Sequence, residues 1–344
     1  MTLRLHALTP ASAAAWDGFV RATPAATMFH LSGWRRVIEE GFGHATHFTF
    51  AEQDGAVVGV LPLARMKTWL FGDGLISTPF CVYGGPVAAT PEAATALTEH
   101  AQALMRRLDV PSLEFRHLHP PDRGWPERGA LYTTFRKPMT GKAEADMAAI
   151  PRKQRAMVRK GIQNGLTSVS DRDTDRLHAI YAQSVHNLGT PVFPRRYFRL
   201  LGEVFADDSD VLTVLHEGQP IAAVLNFHFR EEVLPYYGGG TRAARALAGN
   251  DFMYWEVMRR AGAERGARIF DFGRSKTGTG AYAFKQHWGF TPQPLHYAYQ
   301  LRPGARLGEH NPNNPKYKLM ISAWRRLPLR VANLLGPPIV RGLG

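Results

Sequence analysis

The chain runs through one pattern twice, and this internal repetition limits its fold more than any other feature of the sequence. The first passage reads "AVVGVLPLARM", then "YGGPVAATPEAATALTEHAQALMRRLDV", then "SLEFRH". The second reads "QPIAAVLNFHF", then "YYGGGTRAARALAGNDFMYWEVMRRAGAERG", then "RIFDFGRS". Val60-Leu61 answers Val224-Leu225 at an offset of 164, Tyr83-Gly84-Gly85 answers Tyr237-Gly238-Gly239 at 154, and Glu114-Phe115-Arg116 answers Asp271-Phe272-Gly273 at 157. Offsets this close describe two copies of one unit with different loop lengths.

Each copy reads as a hairpin, a glycine turn, a helix, and a strand ending in an acid. Asp54-Gly55 and Glu217-Gly218 join paired apolar runs and mark the hairpins. "HLSGWRRVIEEGFG" predicts a helix capped by Ser32 and stopped at Gly41. "AGNDFMYWEVMRRAGAERGA" predicts another, starting at Asn250 or Asp251, with Met253, Val257 and Ala261 on one face. The order suits an α/β (α+β) protein of two tandem acetyltransferase-type (GNAT-like) domains arising by duplication, in which two strands splay beside the glycine turn. A generic α+β pair without a splay fits the same pattern. The expected boundaries are 1–145, 146–302 and a C-terminal extension over 303–344.

Two domains of ordinary size fit in 344 residues, and 44% apolar with 21% charged residues describes a chain that folds. The single cysteine, Cys81, permits no internal disulfide and suits a reducing compartment. "MTLRLHALTPASAAAW" has no continuous apolar core, and no apolar run approaches the roughly 20 residues of a membrane span, so the expected location is cytoplasmic. The net charge is +13. Either a polyanionic partner or an Arg-rich composition accounts for it. "WRRLPLRVANLLGPPIVRGLG" mixes Arg with Leu and Val in a way that suits peripheral contact with an anionic membrane.

The familiar site motifs are missing. Gly278-Thr279-Gly280 lacks the lysine of a phosphate-binding loop, Ala283 replaces the third glycine of a dinucleotide fingerprint, and Ser275 lacks a nucleophile elbow. Neither HExxH nor paired Cys/His spacing occurs, so no metal is expected. Two cationic segments remain. Arg152, Arg155, Arg159 and Lys160 lie on a predicted helix between Pro151 and Gly165 that contains no acid, a stripe suited to phosphate. "HNLGTPVFPRRYF" places Thr190 in a polar turn before Arg195, Arg196 and Tyr197, a candidate substrate wall. "FDFGRSKTGTGAYAFKQHWGF" gathers Asp271, Arg274, Ser275, Lys276, Tyr282 and Lys285 around a glycine turn.

The stretches at Arg152–Gly161, Asn187–Val192, Phe270–Ser275 and Gly280–Gly289, taken together, resemble FemAB-like aminoacyltransferases, above all the branch associated with PEP-CTERM/exosortase and exopolysaccharide gene clusters. "PxxxMFHLSGWRRVIEEGFGH" and "WRRLPLRVANLLGPPIVR" extend the likeness over nearly the whole chain. The resemblance implies two tandem GNAT-like domains and transfer of an acyl group from aminoacyl-tRNA or acyl-CoA, with no bound cofactor. The acceptor it implies is an amine on an anionic envelope or exopolysaccharide precursor. The long helical arm of the peptidoglycan members is missing. The resemblance places Lys285 beside the acyl carbonyl as an oxyanion stabiliser, in a gap between diverging strands. Asp271 is then either the acceptor of the amine proton or an ion-pair partner of Arg274. Arg274 and Ser275 are assigned to substrate, Tyr282 to a cleft wall and Tyr237 to a donor channel. Cys81 has no neighbouring His in sequence, so the expected step is direct attack. The first half lacks the Arg274–Lys285 constellation and is expected to be the degenerate copy. The competing reading is a non-catalytic adaptor that binds a polyanion or a membrane surface.

Overall fold

The computed structural model describes residues 2–68, 72–120, 125–127, 131–305 and 315–343. They form two compact units: Met1–Leu131 with Leu295–His310 and Arg341–Gly344, and Tyr132–Pro294 with Asn311–Val340. These boundaries differ from the expected 1–145, 146–302 and 303–344. Strand β18 (His296–Leu301) belongs to the first unit, where it pairs antiparallel with β8 (Ser112–His117). Strand β10 (Arg136–Pro138) belongs to the second, where it pairs with β15 (Ile269–Asp271). Alternating apolar residues mark a strand but not its partner, and here the partners lie far along the chain.

The first unit holds two sheets. One has the order β1 (Arg4–Ala7), β3 (Thr49–Gln53), β4 (Ala56–Leu61), β7 (Val87–Ala88). The other has the order β18, β8, β6 (Gly72–Ser77), β5 (Leu63–Thr68), β2 (Ala45–Thr46). Pro62 separates β4 from β5, because a residue without an N–H cannot continue a ladder. Helix α3 (Pro91–Arg107) starts with proline under a Thr90 cap and buries Leu97, Ala101 and Leu104 against Leu61, Leu75 and Leu113. Helices α1 (Ala13–Ala22) and α2 (Trp34–Phe42) bury Trp16 and Trp34. Helix α2 runs past the expected stop at Gly41 to the left-handed Gly43, and Ser32 bonds Asp17 instead of capping it.

The second unit carries a six-stranded sheet in the order β10, β15, β14 (Glu232–Gly240), β13 (Gln219–Phe229), β12 (Ser209–His216), β11 (Thr167–Asp171). Its main core joins Val224, Val233, Phe270 and Trp288 to residues of α9 (Gly249–Arg265) and α5 (Arg152–Gln163). Helix α4 (Ala143–Ala149) precedes α5, and α8 (Arg242–Ala246) meets α9 at Ala248, whose left-handed backbone starts α9 a residue or two before the expected cap. Helices α6 (Thr174–Leu188) and α7 (Arg195–Val204) also pack on this sheet, followed by α10 (Gly280–His287), α11 (Pro315–Arg326) and α12 (Leu329–Val340). A small sheet sets β9 (Tyr132–Thr134) between β16 (Ser275–Lys276) and β17 (Gln293–Pro294).

The ladders refine the duplication. A register shift at Leu225/Asn226 falls where the first copy has Leu61-Pro62, in agreement with the offset of 164. Val60 pairs with Val87 and Gly59 with Ala88, while Val224 pairs with Gly238 and Ala223 with Gly239. Val87-Ala88, not Gly84-Gly85, are therefore the counterparts of Gly238-Gly239. One continuous strand in the second unit is split in the first into β6 and β7, with residues 78–86 inserted between them. Parallel pairing of Ile76 with Glu114 matches that of Val233 with Phe270, so Phe115, not Glu114, occupies the place of Asp271.

Candidate functional site

In the second unit β14 and β15 pair only at Glu232–Ile269 and Val233–Phe270, after which the chain turns through Gly273 into β16 and α10. Thr279 caps α10 by accepting from the Tyr282 N–H, which fixes the helix that carries Lys285. The Lys285 Nζ donates to the carbonyls of Gly273 at 2.8 Å and Arg274 at 3.1 Å and lies over the rings of Phe135 and Phe272. The side chain is 9% exposed. Burial lowers its pKa to about 7, with the Arg274 charge adding to the effect and Asp271 opposing it.

Asp271 is fully buried, accepts from Thr134 Oγ1 at 3.2 Å and the Gly273 N–H at 2.6 Å, and has the Arg136 Nε at 3.4 Å. Arg136 also bridges to Glu232, whose carboxyl is pushed up by burial and by the charge of Asp271, against the pull of Arg136. Arg274 lies over the Tyr132 ring at 4.6 Å. Ser275 is buried in β16, and its hydroxyl has no hydrogen-bond partner among the described residues. Tyr282 is half-buried, edge-on to Phe135. Lys285, Asp271, Arg274, Ser275 and Tyr282 thus form one neighbourhood.

The other expected residues stand on different elements. Tyr237 is buried with its hydroxyl 2.9 Å from that of Tyr197, packed among Tyr181, Phe193 and Phe198, so it fills core where a channel wall was expected. Tyr197, expected in a substrate wall, is fully buried. Thr190 is exposed in the turn after Gly189. On α5, Arg152, Arg159 and Lys160 face solvent, while Arg155 is half-buried and donates to the Ala148 carbonyl at 2.9 Å. The described residues contain no cluster of groups suited to a metal ion. The described cavities are not lined by Lys285.

The large cavity, about 530 Å³, lies in the first unit, the half expected to be degenerate. The inserted loop supplies Tyr83 and Gly84 to its wall, the start of α3 supplies Pro91 and Ala94, and the end of β8 supplies Phe115 and His117. His30 is 2% exposed. Its Nδ1 accepts the Thr27 N–H at 3.1 Å, which places the ring proton on Nε2, near the Gly84 and Gly85 backbone. Burial lowers the pKa of both His30 and His117 to about 4, so both rings are neutral near pH 7. Gly85 at φ +93° is required there, since a Cβ would stand 3.0 Å from the His117 ring. None of the residues expected to form a site lies here. The cavity's signal in the sequence is a histidine at the end of a strand, "SLEFRHLHP", together with "MFHLS".

Residues 151–286 match the acetyltransferase (GNAT) domain family. The chain is similar to the crystal structure of FemX with a TM-score of 0.69 at 16% identity, covering 92% of this chain and 100% of that one. The chain carries the GNAT fold. A second similar structure is the C-terminal domain of a putative lysylphosphatidylglycerol synthetase from Agrobacterium fabrum, with a TM-score of 0.58, 14% identity, and coverage of 85% and 93%. A third is a tandem GNAT protein from the clavulanic acid biosynthesis pathway, at 0.53, 13%, 89% and 100%. No curated protein matches the chain in sequence. The GNAT match spans α5, Asp271 and Lys285, whereas His30 and His117 lie outside it.

Proposed function

We propose that this chain is an acyltransferase that joins an acyl or aminoacyl group to an amine on a cell-envelope or exopolysaccharide precursor, working in the cytoplasm at the inner membrane face. The observation that carries the reading is Lys285, a buried amine brought to about pH 7 beside the carboxylate of Asp271. Perturbed lysines of this kind concentrate where charge must be supplied or moved. The resemblance to FemAB-like aminoacyltransferases and the GNAT match both favour group transfer to an amine.

In the proposed step the acceptor amine attacks the donor carbonyl, forming a C–N bond. The C–O bond of an aminoacyl ester or the C–S bond of a thioester then breaks. The amine's proton leaves with the departing oxygen or sulfur. The Lys285 ammonium faces the negative charge that develops on the carbonyl oxygen, an interaction worth several kcal/mol in a site of low dielectric. Asp271 is engaged by Thr134, the Gly273 N–H and Arg136 and has no exposure, so we assign it to positioning Lys285 and the Gly273 turn. Arg274, held over the Tyr132 ring, and Ser275, buried in β16, directly follow the Gly273 turn and are assigned to substrate. Arg152, Arg159 and Lys160 offer charge for a phosphate. The first unit's cavity, with neutral His30 and His117 beside it, offers room for a small uncharged ligand of its own.

Purified protein should be offered charged tRNA and acyl-CoAs with amine acceptors, and amide formation followed by mass spectrometry. We expect Lys285→Met to lose at least about a hundredfold in kcat, the typical cost of removing one oxyanion donor. Full turnover in that variant would sink the mechanism. The exposed cations of α5, which make no ion pair with a described acid, favour one other reading, a polyanion-binding adaptor. Binding of anionic glycan that survives Lys285→Met, with no turnover of any donor, would select it.

A further inference from the structure

The helices that follow the second unit's sheet carry a surface that the transferase chemistry does not use. Residues 311–340 contain Lys316, Lys318, Arg325, Arg326 and Arg330 and no acid at all. Helices α11 and α12 follow one another across Leu327-Pro328, and each packs on α6, which fixes their inner sides. On α12 Ala332, Gly336 and Val340 are buried at intervals of four, and a Cβ on Gly336 would stand 2.9 Å from the Val192 backbone. Arg325 donates to the Leu188 carbonyl at 3.1 Å, and His186 Nε2 meets the Leu327 carbonyl at 3.0 Å. Both helices are therefore docked on the end of α6 and the turn that follows it.

Their outer side is apolar where a solvated helix would be polar. Val331, Leu334, Leu335 and Pro338 recur at helical spacing on the face opposite the buried one, with Leu334 at 75% and Leu335 at 46% exposure. Met320 on α11 and Leu188 at the end of α6 are exposed at 64% and 58%. Arg326 and Arg330 are exposed at the turn between the helices. Neither helix is long and apolar enough to cross a bilayer.

We infer that the outer face of α11–α12 docks on an anionic lipid bilayer, the leucines entering the acyl boundary and the arginines meeting head-group phosphates. Charge decides among occupants. A second copy of this face would oppose cations to cations, and a nucleic acid has no use for a leucine stripe. This gives the proposed membrane contact its surface and depends on no step of the acyl transfer, so either can fail alone.

The test is flotation of the full-length protein with phosphatidylcholine vesicles, with and without a third of phosphatidylglycerol, at low and high salt. The wild type should float with the anionic vesicles at low salt and bind at least about tenfold more weakly without phosphatidylglycerol or at high salt. Leu334→Asp/Leu335→Asp should reduce binding more than about tenfold, and Arg326→Glu/Arg330→Glu by about fivefold or more for each cation lost. All four positions are exposed, so thermal melts should match the wild type. Equal flotation of the leucine variant, or binding indifferent to anionic lipid, overturns the inference. So does a wild-type dimer that the leucine variant converts to monomer without any flotation.

Discussion

Replacing Lys285 with methionine should stabilise the folded chain, and by an amount that depends on pH. The amine stands at about 7 when folded against an ordinary 10.5, and each pKa unit corresponds to about 1.36 kcal/mol. At pH 6 the lysine is charged in both states, so the folded chain bears nearly the whole desolvation cost, about 5 kcal/mol. Between the two pKa values the unfolded chain binds more protons than the folded one, so stability rises with pH, and at pH 9 about 2 kcal/mol of the cost remains. Methionine fills similar space but strands the carbonyls of Gly273 and Arg274, costing about 1–3 kcal/mol in all. The variant should therefore be more stable than wild type by roughly 2–4 kcal/mol at pH 6 and nearly equal to it at pH 9. The carbonyl cost cancels from the comparison between pH values, leaving a change of about 3 kcal/mol set by the lysine alone. Urea unfolding followed by tryptophan fluorescence at pH 6, 7.5 and 9 measures it. A difference between variant and wild type that stays constant across this range would refute the desolvation argument.

Arg136→Ala leaves Asp271 and Glu232 buried without their cation and should cost about 3–5 kcal/mol at pH 8 in urea unfolding. The loss should shrink toward pH 5, because the folded variant can then take up a proton on Glu232, whose carboxyl burial already pushes up to about 7. Gly85→Ala forces a side chain into the His117 ring from a left-handed backbone and should destabilise by roughly 1–3 kcal/mol while weakening any ligand of the first cavity, as calorimetric melts would show. Because burial holds the pKa of His30 and His117 near 4, their contribution to ligand affinity in that cavity should be flat from pH 6 to 8 and change only below about pH 5 in equilibrium titrations. If Lys285 acts as a cation, kcat/KM should fall as pH rises above about 7, and Lys285→Arg should move that fall beyond the measurable range.

Much of the architecture was legible from repetition. Turn residues such as Asp54-Gly55 and Glu217-Gly218 announce hairpins through local backbone chemistry, and both stand at strand joints. The neighbourhood of Lys285 was also readable, since Asp271, Arg274, Ser275 and Tyr282 are close in sequence and one turn brings them together. What escaped depends on distant partners. Arg136, which grips Asp271 and Glu232, lies far from both in sequence. Tyr237 reads as a channel residue beside its glycines until α7 brings Tyr197 against it. The cavity around His30 exists because residues 78–86 split a strand, and an insertion looks like any other loop until the ladder registers are known.

Strand β18 also imposes an order of events during synthesis. When the ribosome has made the first 131 residues, β8 presents Leu113 and Phe115 on an open ladder edge, and the segment that closes it is some 160 residues from being translated. The amino-terminal half must wait, exposed to aberrant pairing, while its successor emerges and folds. A fragment severed near residue 145 would keep that bare edge permanently, and aggregation would be its expected fate.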